Sequence, residues 1–367
     1  MQAFIVDVNL YGDLDFAEHH EEFVMLAKGA GANIVGTLLV NRDKPDPALF
    51  LGKGKVEEAV ALAEAAGAEI ILFGQSLSPA QQRNLEREFK CRIVDRVGLI
   101  LDIFALRAKS HEGKIQVELA QLQYMRSRLS GMWTNLAQQQ GGMIGARGPG
   151  ETQLEMDRRV IGGRIKILFD RLQKVRKQRE TQRRQRLRSA AFVVSLVGYT
   201  NTGKSTLFNA LTRADAYAAD QLFATLDTTT RRLWIEGAGQ ITLSDTVGFI
   251  RELPPTLIAA FKATLEETLY ADVLLHVIDS SNPQKEEQIY EVNKVLQDIG
   301  AQHIPTILVY NKTDLTEQKP RLELNESGHV SRVFLSASKR EGLEFLREAI
   351  VLTKQQLEKT IDAKYEF

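Results

Sequence analysis

The chain has 367 residues, of which 44% are apolar and 26% charged, and it contains one cysteine, Cys91. This composition is ordinary for a soluble globular protein of two or three domains, and a single cysteine excludes an intramolecular disulfide. No apolar run approaches the roughly 20 residues that a membrane helix needs, and the N-terminus has no signal-peptide pattern. We therefore expect a cytoplasmic protein.

Charge is distributed unevenly, although the formal net charge is zero. Residues 1–156 carry 16 Lys and Arg against 20 Asp and Glu, and residues 190–367 carry 18 against 24. Residues 157–189 between them carry 13 against 3, a charge of +10. A basic block between two acidic parts indicates a partner with negative charge.

The first predicted domain, residues 1–106, alternates apolar strands with helices. Strands are predicted at Ala3–Asn9, Asn33–Val40, Glu69–Phe73 and Arg92–Asp95. Helices are predicted at Phe16–Lys28, at Lys55–Ala66 and from Val97 onward. A further helix is predicted to run to Phe89, with Ser78 at its N-cap and Pro79 as its first residue. Strands that alternate with helices in this order predict a parallel sheet with right-handed crossovers.

Two features leave the function of this domain open. The segment Gly52-Lys53-Gly54-Lys55 could bind a phosphate, but it has no Ser or Thr partner, so we favour a turn that opens a helix. His19 and His20 lie among glutamates and could suggest a metal. Nothing else supplies ligands at a fixed spacing, and we expect a solvated helical face.

Residues 107–189 predict a long antiparallel helical hairpin. Apolar residues recur there at steps of three and four, at positions 115, 119, 122, 125, 129 and 132 and again at 161, 165, 168, 172 and 175. These stripes are typical of two packed helices. The first arm, Arg107–Asn135, would extend about 43 Å at 1.5 Å per residue. A glycine-rich tip is predicted at 136–153, because glycine and proline end helices and permit turns.

The tip and the second arm together predict RNA binding. The segment Gly141–Gly150 places the apolar pair Met143-Ile144 and the cation Arg147 where water would cover them. The following stretch, 158–188, carries ten Arg and three Lys. Arginine forms bidentate hydrogen bonds with phosphate, so this excess favours a nucleic-acid partner. The alternatives are a loop without function and a solvated helix face.

The third predicted domain, residues 190–355, contains a phosphate-binding loop between a predicted strand, Phe192–Val197, and a predicted helix, Thr206–Leu211. The loop consists of Gly198, Tyr199, Thr200, Asn201, Thr202, Gly203, Lys204 and Ser205. Backbone N–H groups at such a helix start bind phosphate oxygens. Lys204 would reach the β- and γ-phosphates, and Ser205 would bind Mg²⁺.

Three further motifs directly follow predicted strands in this domain. Ligands bind at that end of the strands in open α/β sheets. The motifs are Asp245-Thr246-Val247-Gly248 after Ile241–Ser244, Asn311-Lys312-Thr313-Asp314 after Thr306–Tyr310, and Ser336-Ala337-Ser338 after Val333–Leu335. A fourth strand is predicted at Val273–Asp279.

The motifs predict how a guanine nucleotide is bound. Asp245 would hold Mg²⁺ through water, and the Gly248 N–H would contact the γ-phosphate. Asp314 would accept hydrogen bonds from guanine N1 and N2, a donor pair that adenine lacks. Ser336, Ala337 and Ser338 would support the base through backbone N–H groups. The ligands expected are therefore GTP or GDP with Mg²⁺.

These motifs together resemble the HflX family of ribosome-associated GTPases, within the translation-factor-related class. The match also includes Gly141–Gly150 with Glu151-Thr152-Gln153-Leu154-Glu155 and the α/β domain before the hairpin. It further includes a candidate switch I made of Phe223, Ala224, Thr225, Leu226 and Asp227. The resemblance implies that Thr225 closes on Mg²⁺. It also implies binding to the large ribosomal subunit, with the hairpin tip towards the peptidyl-transferase centre, and splitting of stalled ribosomes under stress.

Two features depart from the family pattern. Thr228 stands where the family often has proline, and the predicted tail after the third domain is short, at 356–367. Separately, Phe249 follows Gly248, where a glutamine would orient the attacking water. We predict slow intrinsic hydrolysis that a partner accelerates. Phe249 could also simply pack within the segment that follows Asp245.

The sequence leaves three functions in competition. The leading one is a monomeric, GTP-dependent factor that binds the large ribosomal subunit. The second is a regulatory GTPase whose basic hairpin binds a protein or a membrane surface. The third adds ATP-driven RNA remodelling by the N-terminal domain.

Overall fold

The computed structural model describes residues 1–11, 15–129, 149–187, 192–212, 222–251 and 268–365. The chain divides into two compact units, Met1–Lys174 and Val175–Phe367. Among the described residues, no helix is both long and apolar enough to cross a membrane.

The first unit begins with a four-stranded, fully parallel sheet in the order β2-β1-β3-β4. The strands are β1 (Gln2–Leu10), β2 (Asn33–Arg42), β3 (Ile70–Phe73) and β4 (Arg92–Asp95). The helices are α1 (Phe16–Gly29), α2 (Lys53–Ala65), α3 (Pro79–Phe89) and α4 (Arg96–Arg107). Strands and helices alternate because apolar side chains on both faces of the sheet need cover. The predicted parallel α/β fold is confirmed.

A capping box marks the start of α3, and a glycine precedes the start of α2. Ser78 Oγ accepts a hydrogen bond from the Gln81 N–H at 3.2 Å, and Gln81 Oε1 accepts one from the Ser78 N–H at 2.9 Å. This capping box satisfies N–H groups that a helix start leaves unpaired. Gly52 is the N-cap of α2, and Lys55 pairs with Glu58 at 2.6 Å. The segment Gly52–Lys55 therefore opens a helix.

The prediction of one continuous arm from Arg107 to Asn135 is wrong at its start. Helix α4 ends at Arg107, and α5 spans His111–Leu129. Ala108 is extended, and Ser110 Oγ accepts a hydrogen bond from the Gly113 N–H at 2.9 Å. A serine cap begins a new helix there, so the polarity of Ser110 outweighs the helical pattern around it. Residues 130–135 lie outside the described part.

Helix α5 packs against α6 (Pro149–Leu187), and together they form the predicted hairpin. Their buried contact is made of Ile115, Leu119, Leu168 and Leu172, with Leu122 and Ile165 at its edge. These are positions of the two predicted stripes. The predicted tip lies outside the described residues from 136 to 148, including Gly141, Met143, Ile144 and Arg147. Pro149 and Gly150 already belong to α6.

A buried carboxylate joins α5 to the parallel sheet. Asp95, at the end of β4, is fully buried. It accepts hydrogen bonds from Tyr124 Oη at 2.5 Å, from Arg128 Nη2 at 2.6 Å, and from the N–H groups of Leu77 and Gly98 at 3.0 and 2.9 Å. Burial raises the pKa of Tyr124, and the charge of Asp95 raises it further. Helix α5 of the hairpin is thus hydrogen-bonded to the C-terminal end of β4.

The second unit contains a seven-stranded sheet in the order β10-β11-β9-β8-β5-β7-β6. Its strands are β5 (Phe192–Val197), β6 (Thr229–Ile235), β7 (Gly239–Asp245), β8 (Val273–Asp279), β9 (Thr306–Asn311), β10 (Arg321–Leu324) and β11 (Val330–Phe334). The five strands from β11 to β7 are mutually parallel, as predicted. The edge strands β6 and β10 are antiparallel, and the sequence did not indicate them.

Three helices complete the described part of this unit: α7 (Lys204–Thr212), α8 (Lys285–Asp298) and α9 (Leu343–Tyr365). Helices α7 and α9 pack on one face of the sheet through Leu207, Phe208, Leu346 and Ile350. The predicted tail at 356–367 is helical to Tyr365, because α9 continues without a breaking residue. The boundary between the two compact units falls inside α6, between Lys174 and Val175.

Candidate nucleotide-binding site

The phosphate loop connects β5 to α7, and two of its glycines are sterically required. A Cβ on Gly198 would lie 2.3 Å from the carbonyl oxygen of Val277, and Gly198 has φ +147°. A Cβ on Gly203, which has φ +89°, would lie 2.4 Å from Asn311 Nδ2. Both positions combine a left-handed or strained backbone with a close approach, which only glycine tolerates. Backbone crowding therefore shapes the loop before any ligand binds.

Lys204 is the first residue of α7, and it is buried inside the loop. Its Nζ donates a hydrogen bond of 2.6 Å to the carbonyl oxygen of Tyr199. Burial lowers the pKa of Lys204 to about 8, and the nearby charge of Asp245 partly opposes this shift. A buried ammonium with one neutral partner is well suited to exchange that partner for phosphate oxygens.

Three oxygen-bearing side chains meet beside the loop. Ser205 Oγ lies 2.7 Å from Thr225 Oγ1 and donates a hydrogen bond of 2.7 Å to Asp245 Oδ2. Thr225 Oγ1 lies 3.2 Å from the same carboxylate oxygen. The structure thus brings together residues separated by 20 and 40 positions in the sequence.

This oxygen cluster fits a magnesium ion. Asp245 is fully buried, and among the described residues its Oδ1 has no hydrogen-bond partner. Burial raises the pKa of Asp245, while hydrogen bonds from Ser205 and Thr225 and the charge of Lys204 lower it. Two hydroxyls and a carboxylate are hard oxygen donors of the kind Mg²⁺ prefers. A cation would stabilise the ionised carboxylate at this buried position.

The segment after Asp245 lies directly against the phosphate loop. Thr246 Oγ1 donates a hydrogen bond of 2.6 Å to the Leu196 carbonyl. A Cβ on Gly248 would lie 3.0 Å from Lys204 Nζ and 2.9 Å from Thr200 Cγ2. The backbone of Gly248 therefore passes close to the Lys204 ammonium, and any larger residue would displace one of its neighbours. Val247 and Phe249 are buried.

The predicted base-reading residues form a second hydrogen-bonded group. Asn311 Nδ2 donates to the Thr202 carbonyl at 2.9 Å, and Asn311 Oδ1 accepts from the Ala337 N–H at 2.9 Å. Asp314 Oδ1 accepts from Ser336 Oγ at 2.6 Å, and Ser338 Oγ lies 3.4 Å from Asp314 Oδ2. Asn311 thus connects the phosphate loop to the Ser336–Ser338 segment, and two serines orient the exposed Asp314 carboxylate.

Lys312 has a partner that the sequence analysis missed. Its Nζ donates a hydrogen bond of 2.6 Å to Asp279 Oδ2, and its backbone is left-handed at φ +65°. Asp279 is the last residue of β8, so the strand-end rule used for the other motifs could have indicated it. This ion pair holds the Lys312 stem beside the phosphate loop.

A cavity of about 350 Å³ lies over these groups. Its walls come from the phosphate loop, from Phe223–Thr225, and from Thr246, Gly248, Lys312 and Leu315. The predicted binding residues that do not line it are Gly198, Tyr199, Thr202, Leu226, Asp227, Asp245, Val247, Asn311, Thr313, Asp314 and Ser336–Ser338. Leu226 is buried, and the Phe223 ring is 1% exposed, so part of the candidate switch I packs inward. Thr206 and Leu315 line the cavity without having been predicted.

The predicted metal alternative in the N-terminal domain receives no support from the described residues. Among them, no group of three or more His, Cys, Asp or Glu side chains could hold a metal ion. The prediction of a solvated face is wrong for His20, because its Nδ1 lies 2.8 Å from Asp7 Oδ2 and its ring stacks on Phe16. Asp7 is buried on β1, and a buried carboxylate requires a polar partner.

Helix α6 buries its apolar stripe against α5 and exposes most of its basic side chains in the described part. Arg158, Arg159, Lys166, Arg171 and Lys174 are exposed, and none of them forms an ion pair with a described residue. Arg164 differs, because it pairs with Glu118 of α5 at 2.7 Å. The cations predicted from 176 to 188 fall on the helix end and beyond it, and Arg188 lies outside the described residues. This row of five cations outnumbers the exposed acids of the same stretch, Glu155, Asp157 and Asp170, so the described surface carries a net positive charge.

The sheet order, the phosphate loop and the guanine-type motifs define a P-loop GTPase. Family models match residues 17–105 (GTP-binding GTPase N-terminal), 107–186 (GTP-binding GTPase Middle Region) and 193–312 (50S ribosome-binding GTPase). The chain belongs to the HflX family of GTPases, and it is a GTP-binding, GTP-hydrolysing protein.

Curated relatives support this assignment over most of the chain. GTPase HflX of Escherichia coli strain K12 is 51% identical over 350 residues, which are 95% of this chain and 82% of that protein. GTPase HflX of Caldanaerobacter subterraneus is 49% identical over 329 residues, covering 90% and 75%.

Two solved structures have a similar fold. A crystal structure of SsGBP in complex with GDP has a TM-score of 0.54 and 26% identity, over 97% of this chain and 99% of that one. A GTP-binding protein from Sulfolobus solfataricus in complex with GDP has a TM-score of 0.50 and 26% identity, over 97% and 100%.

Proposed function

We propose that this GTPase is a cytoplasmic, monomeric factor that binds the large ribosomal subunit in its GTP form and dissociates stalled ribosomes or subunits under stress. The observation that carries the proposal is the row of exposed α6 cations, from Arg158 to Lys174, that form no ion pair with a described residue. Ribosomal RNA presents a dense array of phosphates, which such a row binds with a strong dependence on salt. The match to the 50S ribosome-binding GTPase model agrees with this partner.

The nucleotide site supplies the switch. Lys204 exchanges the Tyr199 carbonyl for β- and γ-phosphate oxygens. Ser205 and Thr225 would hold Mg²⁺ through their hydroxyls, and Asp245 would hold it through water. An ion held there would supply positive charge opposite the phosphate oxygens. Thr225 already contacts Ser205 and Asp245, so only a small movement is needed to complete this arrangement.

Base recognition and γ-phosphate sensing use the remaining motifs. Asp314, oriented by Ser336, accepts hydrogen bonds from guanine N1 and N2, and Asn311 holds the loop that surrounds the base. The Gly248 N–H contacts the γ-phosphate, so the segment from 245 to 248 orders differently with GTP and GDP. Phe249 supplies no polar group, and a ribosomal component positions the attacking water.

Co-sedimentation with purified large subunits tests this function. The protein is mixed with subunits in the presence of GDP or a non-hydrolysable GTP analogue, at two salt concentrations. We expect binding with the analogue, weak binding with GDP, and loss at high salt. Arg158→Glu with Arg159→Glu should weaken binding strongly. The matched control is Lys294→Glu with Lys319→Glu, which changes the total charge equally on exposed residues outside α6.

The outcomes separate the competing functions. Deletion of 141–150 should also weaken binding, since the proposal places this segment in the subunit. Equal binding of the α6 reversal variant and its control would contradict the proposal. Binding to anionic vesicles in place of subunits would favour the regulatory alternative instead.

A further inference from the structure

An exposed tryptophan occupies the edge strand of the seven-stranded sheet. Trp234 lies on β6 with 75% of its surface exposed. Its neighbours Leu233 and Ile235 pack into the core on one face. Because side chains alternate along a strand, Arg232 and Trp234 share the opposite face. Trp and Arg are the residue types most enriched at binding hot spots.

Arg232 has no partner within the described protein. Its side chain is exposed and forms no hydrogen bond or ion pair with a described residue. The adjacent Arg231 is also exposed, and it donates its hydrogen bond to the Thr230 carbonyl at 3.2 Å. Glu236, an exposed carboxylate, lies beyond Trp234 in the turn that joins β6 to β7. The guanidinium group of Arg232, on the same face as Trp234, is therefore available to an anionic ligand.

The surroundings of Trp234 are polar. Gln240 and Thr242 of β7 stand opposite Trp234 and Arg232 in the antiparallel register. The indole ring reaches over the turn, because a Cβ on Gly239 would lie 3.8 Å from its Cη2 and Cζ3. A protein interface would surround such an anchor with further apolar side chains. A single flat aromatic ring among Arg, Gln and Thr instead suits a stacked base flanked by phosphate and sugar.

We propose that Arg232 and Trp234 form an RNA-binding surface, in which Trp234 stacks on an unpaired base and Arg232 binds the neighbouring phosphate. This inference rests on the proposed function, since the RNA is that of the large ribosomal subunit. It adds a second RNA contact, on the nucleotide-binding domain itself. Base stacking needs an unpaired nucleotide, so the ligand is a single-stranded loop or bulge.

The position of this surface connects it to the nucleotide site. Strand β6 begins at Thr229, just after Thr225, and β7 ends at Asp245. Thr225 and Asp245 contact each other at 3.2 Å. The strand pair β6–β7 therefore connects the two segments that meet beside Ser205 of the phosphate loop. RNA bound at Trp234 is expected to bind the GTP form more tightly than the GDP form.

Intrinsic fluorescence tests the proposal directly. The chain has two tryptophans, so a Trp133→Phe background leaves Trp234 as the sole reporter. A fluorescein-labelled oligoadenylate of about 12 nucleotides, within the site sizes usual for single-strand binders, is titrated with the GTP analogue present. We expect Trp234 quenching to follow the anisotropy curve. In anisotropy, Trp234→Ala should raise Kd about tenfold, whereas Trp234→Phe keeps most of the affinity.

Two further variants define the contact. Arg232→Ala should weaken binding and lower the salt slope by about one phosphate contact. Tyr290→Ala is the matched control, because Tyr290 is an aromatic residue 66% exposed on α8. It should leave Kd unchanged. Far-UV circular dichroism and hydrolysis without a partner should be the same in all four variants, since none of these residues touches the cavity.

Each remaining outcome decides the inference. Absence of RNA binding, or binding without Trp234 quenching and with equal affinity in Trp234→Ala, overturns it. Quenching by oligoglutamate but not by RNA indicates a protein partner and also overturns it. If the wild type co-sediments with large subunits and Trp234→Ala does so equally, the inference fails while the proposed function stands. If oligoadenylate quenches Trp234 but large subunits do not bind, the proposed function fails instead.

Discussion

The backbone N–H of Thr200 donates a hydrogen bond of 2.7 Å to the carbonyl oxygen of Phe249. In return, the Phe249 N–H donates one of 3.1 Å to the carbonyl of Gly198. The phosphate loop and the segment after Asp245 are thus joined by a short parallel bridge at Tyr199 and Phe249. The Phe249 ring is 1% exposed, so its side chain points away from solvent and from the cavity.

This geometry makes Phe249→Gln an informative substitution. The glutamine amide would enter an apolar site, so we expect unfolding to become easier by about 1–3 kcal/mol. It would not orient water, and intrinsic hydrolysis should stay slow in a phosphate-release assay. Phe249→Leu is the control for volume and should behave like the wild type in hydrolysis. A gain above about 10²-fold in Phe249→Gln would show that position 249 does face the nucleotide.

Ser205 offers a test of the magnesium site. Ser205→Ala removes one oxygen of the cluster formed with Thr225 and Asp245. We expect Mg²⁺-dependent binding of a fluorescent GTP analogue to weaken and hydrolysis to fall by about 10²-fold or more. Ser205→Thr keeps the hydroxyl and should retain most of the activity. Equal Mg²⁺ dependence in Ser205→Ala and the wild type would place the ion elsewhere.

The interaction of Arg128 with buried Asp95 predicts a large effect on stability. Arg128→Leu leaves the carboxylate without its cation, so unfolding should become easier by roughly 3–5 kcal/mol. Tyr124→Phe removes one hydrogen bond and should cost about 1 kcal/mol. Urea unfolding followed by circular dichroism measures both. The exposed neighbour Arg126 provides the control, and an effect of Arg126→Leu equal to that of Arg128→Leu would contradict this explanation.

A buried histidine predicts how stability depends on pH. Burial lowers the pKa of His276 to about 4, and the charge of Lys204 lowers it further; among the described residues Nδ1 has no hydrogen-bond partner. The unfolded chain, with an ordinary pKa near 6.5, binds the proton more readily. The stabilisation is thus present above about pH 6.5 and is lost as pH falls towards 4.

When the pH is lowered from 7 to 5, His276 alone should reduce the free energy of unfolding by about 2 kcal/mol. Urea titrations followed by far-UV circular dichroism give the free energy at each pH. His276→Leu removes the titrating group, and its loss over the same range should be smaller by that amount. An identical pH dependence in the two proteins would show that other groups dominate.

The sequence predicted those parts of the fold that have strong local signals. The parallel strands of both sheets and the phosphate loop follow from apolar runs with Gly, Ser and Pro at their ends, and Ser78-Pro79 located a helix start correctly. The sequence did not predict the antiparallel edge strands β6 and β10. Strand β6, Thr229–Ile235, contains two arginines and lacks a continuous apolar run. The edge position, which lets those arginines face solvent, is known only from the tertiary pairing.

The nucleotide-binding site shows the same contrast between local signals and tertiary contacts. Motif spacing predicted the residues that would approach the phosphates, but not the network among them. The Lys312–Asp279 pair and the closure of Ser205, Thr225 and Asp245 depend on side-chain directions over long sequence separations. The Ser110 cap was also missed, because helical periodicity on both sides masked a local polar signal.

The central claim is that the large ribosomal subunit completes a GTPase whose own position 249 carries no catalytic group. Its most direct test is GTP hydrolysis at a fixed protein concentration, measured with and without purified large subunits. The account predicts slow hydrolysis alone and an acceleration in the range of about 10³–10⁵-fold with subunits. A rate that does not change when large subunits are added would contradict it.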